Sequence, residues 1–62
     1  MINNIGDIVR DMRDNLCIVA DVEFLKENTY MFYLYNLREE KLHRWFEPFG
    51  QELAPNYWDT LA

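Results

Sequence analysis

The chain has 62 residues, half of them hydrophobic and 16% aromatic, and its eleven Asp and Glu against six Lys and Arg give a net charge of −5. A chain this short makes one domain, residues 1–62, and buries only about 60% of the surface its unfolded form exposes, so association with a second copy or another partner is a natural way to finish its core. The acid excess argues against direct nucleic-acid binding, which rests on Lys and Arg against phosphates, and favours a partner with a basic surface.

In chain order, Ile2, Ile5, Val9, Met12 and Leu16 recur at three- and four-residue intervals, which predicts an amphipathic helix capped by Asn3 or Asn4. Asp7, Asp11 and Asp14 then fall almost opposite the apolar stripe as an acidic ridge. Their carboxylates would be spaced about 6 and 4.5 Å along the axis, on the scale at which nucleic acids carry phosphates. Arg10 and Arg13 flank this ridge, and any solvated helix face shows the same pattern. The early aspartates argue against a secretory leader, and no apolar run reaches the length of a membrane span. The single cysteine, Cys17, permits no internal disulfide. Together these features predict a cytoplasmic protein without membrane attachment.

Cys17 to Leu37 holds two runs rich in β-branched and aromatic residues, broken by Lys26-Glu27-Asn28, and predicts an antiparallel hairpin. In the first run Ile18, Ala20, Val22 and Phe24 alternate with Val19, Asp21 and Glu23. The second, Tyr30 to Tyr35, is apolar on both faces, so the turn must set its register. A two-residue loop at Glu27-Asn28 suits Asn-Gly better than Glu-Asn. A three-residue loop ending in a left-handed Asn28 pairs Phe24 with Tyr30, Val22 with Phe32 and Ala20 with Leu34. Met31, Tyr33 and Tyr35 then share a face with Asp21 and Glu23, aromatic and acidic together.

Asn36 with Glu39 three residues on reads as a capped start of a second helix carrying Leu42, Trp45, Phe46 and Phe49 on one side. Glu40, His43, Arg44 and Glu47 lie on the other side, and Pro48 and Gly50 close the helix. Beyond it, Leu53, Tyr57, Trp58 and Leu61 suit a short helical turn begun at Pro55, with Trp58 folded back under the sheet because it carries so much apolar area. The fold class expected is therefore α+β, ordered helix, strand, strand, helix, with a C-terminal packed segment.

Chemistry-bearing constellations are thin. Cys17 and His43 lack a third orienting residue, His43 lacks a second His or Cys at ligand spacing, and Gly6 and Gly50 are too far apart for a phosphate loop. No enzyme activity, cofactor or metal is expected. In size, acidity and aromatic content, though in no motif, the chain is similar to the small antagonists that phages and other mobile elements make against host nucleic-acid-binding proteins. That likeness implies an inhibitor that occupies a basic surface; the acid excess, the ridge and the acidic-aromatic hairpin face make Asp7, Asp11, Asp14, Asp21 and Glu23 the expected charged contacts, with Tyr33 and Tyr35 supplying area. The competing expectation is a structural or accessory subunit, a homodimer or part of a complex, whose acidity only confers solubility.

Overall fold

A computed structural model describes residues 2–62, among which the regular elements are β-strands and there is no helix. Five strands among them, β1 (Ile8–Arg10), β2 (Leu16–Lys26), β3 (Thr29–Asn36), β4 (Lys41–Glu47) and β5 (Asp59–Thr60), form one antiparallel sheet in the order β4-β3-β2-β1-β5. The expected α+β arrangement is thus overturned, since both predicted helices are replaced by turns and strands.

The first helix fails because its polar residues have better local uses. Asp7 accepts from the Asn4 backbone N–H at 2.9 Å, and Asp11 accepts from the N–H groups of Arg13 and Asn15, both at 2.9 Å. Such side-chain bonds offer the backbone a turn in place of helical hydrogen bonds. Gly6 and Asp14 take left-handed φ angles of 94° and 68°, which a helix cannot hold. The three- and four-residue spacing of apolar residues is coincidental. Val9 is fully buried in β1, whereas Ile2, Ile5, Met12 and Leu16 stay exposed.

At the second predicted helix the cap is real, but it opens a turn. The Asn36 carboxamide accepts from the N–H groups of Arg38 and Glu39, both at 2.9 Å, and Glu40 N donates to Asn36 O at 2.8 Å. Glu40 then turns left-handed, at φ 55°, and the chain reverses into β4. There period two replaces period 3.6. Trp45 and Glu47 go to one face, and Leu42, Arg44 and Phe46 go to the other.

The hairpin forms where expected. Phe24 lies opposite Tyr30 and Val22 opposite Phe32, and Asn28 is left-handed at φ 60°. The tip itself closes over Glu27 and Asn28 with Lys26 opposite Thr29, and a register shift at Leu25 recovers the longer-loop pairing. A second shift lies at Ala20, so Val19, not Ala20, pairs with Leu34. A residue inserted into one strand reverses the alternation beyond it. Cys17 and Val19 therefore enter the core, and Ile18 crosses to the other face beside Tyr35.

The core is Val9, Cys17, Val19, Phe32, Leu34 and Leu53, with Val22, Tyr30, Trp45 and Trp58 packed around it. It lies on one face of the sheet, under the two terminal segments. Two buried polar residues hold these segments down. The Asn3 carboxamide donates to Thr60 Oγ1 at 2.9 Å and accepts from Leu53 N–H at 2.8 Å, while Glu47 Oε2 accepts from Trp45 Nε1–H at 2.6 Å and Ala54 N–H at 2.9 Å. Trp58 folds back as expected and meets Trp45 edge to face at 5.4 Å. The expected turn at Pro55 is a single one, with Tyr57 and Trp58 N–H groups donating to Ala54 O before the chain enters β5. Among the described residues no helix is long and apolar enough to cross a membrane.

Candidate functional site

The terminal segments cover one face of the sheet, and the side chains on the other form an open face. β3 sends Met31, Tyr33 and Tyr35 to this side, opposite Glu23, Asp21 and Ile18 of β2 and Phe46, Arg44 and Leu42 of β4. β1 extends it with Ile8, which pairs with Ile18, and Leu16 adds to it opposite Arg10. Met31, Tyr33, Tyr35 and Ile18 are half-buried by their neighbours, whereas Leu42 and Phe46 remain 57% and 52% exposed. A continuous apolar and aromatic field of this kind on a small chain makes this face the candidate interaction surface.

Its centre is polar. Tyr33 donates its hydroxyl proton to Glu23 Oε1 at 2.6 Å, a short charge-assisted bond. That bond, helped by desolvation and by the charges of Glu23 and Asp21 against the opposing Arg44, raises the phenol above the ordinary tyrosine range. Asp21 turns one carboxylate oxygen back to the Val22 N–H at 2.9 Å. The acidic-aromatic cluster that the hairpin pattern implied, Asp21, Glu23, Tyr33 and Tyr35, is thus assembled on one surface, now with Arg44 beside it.

The three earlier aspartates are not assembled. Asp7 closes the turn before β1, and Asp11 and Asp14 lie in the loop after it. Burial works to raise the Asp11 carboxyl, but hydrogen bonds from Asn15 and Arg13 outweigh it and hold the group below its usual range. Asp14 is exposed and lies 3.4 Å from Arg10, whose guanidinium reaches Asp59 at 2.9 Å. Without a helix there is no ridge, and the phosphate-like spacing goes with it.

Sequence reasoning missed the apolar frame of the open face, Ile8, Leu16, Ile18, Leu42 and Phe46. The available signal was the alternation of Leu42, Arg44 and Phe46 against His43, Trp45 and Glu47, which the spacing of Leu42, Trp45 and Phe46 masked. Cys17 and His43 do come to one groove on the covered side, yet burial, reinforced by Asp11 and Glu39, pushes the Cys17 thiol up. A thiol held protonated is a poor nucleophile. His43 Nε2 instead lies 2.7 Å from Glu39 Oε1. Comparison with protein-family models, curated proteins and solved structures finds no match.

Proposed function

We propose that the protein is a small acidic interaction module that docks a basic protein surface on the open face of its sheet. The observation that carries this reading is the Asp21, Glu23, Tyr33 and Tyr35 cluster at the centre of an apolar field that the chain leaves uncovered. The aromatic and aliphatic side chains supply contact area, and the central acids with the net charge of −5 select a basic occupant and speed its arrival. Such a module works as an inhibitor when the surface it covers is the partner's own binding site, and its lone buried cysteine suits a cytoplasmic setting. A second reading rests on Arg44: lying across Tyr33 from Asp21, it would let a twofold copy match Arg44 to the acid pair, making the face a homodimer contact.

The test is retention of proteins from the native host by the wild-type chain, by Asp21→Asn with Glu23→Gln, and by Tyr33→Ala. The proposal expects a basic protein held by the wild type at low salt and lost from both variants. Retention that both variants preserve, or a wild type that binds only itself, overturns it.

A further inference from the structure

The sheet is unfinished along half of its longest strand. β2 runs from Leu16 to Lys26, but β1 pairs only with Leu16, Cys17 and Ile18. The chain before β1 reaches one residue further, where Val19 N–H donates to Asp7 O at 2.9 Å and Gly6 N–H donates to Val19 O at 2.8 Å. Among the described residues no strand pairs this edge from Ala20 to Lys26. Along a strand, the direction of the backbone groups alternates together with the side-chain face. Val22 and Phe24 lie opposite Phe32 and Tyr30 and so share the covered side with Cys17 and Val19, which means that their backbone groups also point away from β3. The Val22 N–H is taken by Asp21 Oδ1 at 2.9 Å, and the Val22 carbonyl and both backbone groups of Phe24 have no strand to meet.

The two sides of this edge differ in chemistry. On the covered side Ile5, Val22, Phe24 and Tyr30 line a shallow groove, with Ile5 and Phe24 each 63% exposed. On the open side stand Asp21 and Glu23, both exposed. An unpaired strand edge is a template for another strand, and this one is complementary to a segment that is apolar on one side and basic on the other.

We propose that the basic partner adds an extended segment to the free edge of β2, antiparallel as every pairing in the sheet is, with apolar residues opposite Val22 and Phe24 and Lys or Arg opposite Asp21 and Glu23. This contact rests on the basic-partner reading and adds a backbone component to it. A carbonyl of the segment takes over the Val22 N–H, and the Asp21 carboxylate so released meets a cation of the segment. A second copy of the chain fits poorly, because laid antiparallel on the same edge it sets acid against acid. The other long free edge, β4, carries Lys41 and Arg44 and repels a basic segment.

The probe is a hexapeptide of alternating lysine and valine, acetylated and amidated, titrated at low salt into the nitrogen-15-labelled full chain. The expected result is that the Val22 and Phe24 amide signals move, and that the Phe24 N–H exchanges with solvent about tenfold more slowly at saturation. In this antiparallel register the valine nitrogens face β2 and the lysine nitrogens face solvent. N-methylating the valines should therefore weaken the peptide about tenfold, while N-methylating the lysines should leave its affinity within about twofold. Both comparisons use the wild-type protein, so no variant has to fold. A hexapeptide with glutamate in place of lysine should not bind. Equal affinity of the two N-methylated forms, with shifts confined to Tyr33, Tyr35 and Leu42, overturns edge addition and leaves docking on the open face standing. Val22 and Phe24 amides unmoved by the peptide, or equal binding of the glutamate form, overturns it as well. An edge that takes the lysine peptide in a chain that retains no basic host protein would sink the partner reading alone.

Discussion

The two faces of the sheet are built from the same kinds of residue and end in opposite states. On the covered face, Val9, Val19, Phe32 and Leu34 are sealed by segments that Asn3 and Glu47 hold in place. On the open face Leu42 and Phe46 stand out as far as many polar side chains, and the central groups are Tyr33, Asp21, Glu23 and Arg44. Hydrophobicity alone therefore does not choose the core face. Coverage is decided by where a few buried polar side chains can latch the terminal segments, and in this chain those latches serve only one side.

Truncating neighbours on β3 puts the contrast between the faces at greatest risk. Phe32→Ala should cost about 3 to 5 kcal/mol in denaturant unfolding, a large share of what so small a domain holds. Tyr33→Ala, next to it but on the open face, should cost less than about 1 kcal/mol. Equal losses would mean that the open face is as structural as the covered one. Next comes the latch. Asn3→Ala leaves the Leu53 N–H and the Thr60 hydroxyl without their partner and should cost about 2 kcal/mol, with Trp58 fluorescence shifting to the red as the C-terminal segment loosens.

A smaller effect separates turn chemistry from packing. Because the Asp11 carboxyl is depressed in the folded chain, its stabilisation is complete above the ordinary carboxylate pKa and is lost as pH falls through the folded value. Asp11→Asn should therefore be less stable than wild type near neutral pH, and the gap should close below about pH 4. A gap that persists in strong acid would point to lost shape, not lost charge. The smallest effect reads the centre of the open face. Tyr33 titrates above the normal tyrosine range because Glu23 holds its proton, so in Glu23→Gln its ultraviolet titration should move down towards the ordinary value.

How much of this is legible in the sequence depends on whether the signal is local. The left-handed turn at Asn28 can be read, but the loop length cannot: the tip closes over two residues, not three, and an unannounced extra residue at Leu25 restores the pairing of Phe24 with Tyr30 and with it the shared face of Asp21, Glu23, Tyr33 and Tyr35. The shift at Ala20 cannot be read, since nothing in Val19-Ala20-Asp21 announces an extra residue, and it sends Cys17 and Val19 inward against the alternation. Asn36 reads correctly as a cap, but an Asn cap looks the same whether it opens a helix or a four-residue turn. The first fifteen residues mislead because their apolar spacing masks their Asn, Asp and Gly content, whose turn chemistry wins. Glu47 reads as a solvated charge, since its two partners, Trp45 and Ala54, converge only in the folded chain.

Sedimentation equilibrium of the isolated chain at high micromolar concentration asks whether the open face is kept free for a basic partner. The expected result is a monomer, with Leu42→Arg sedimenting identically. A concentration-dependent dimer that Leu42→Arg abolishes would contradict that account, because a second copy would then already occupy the face.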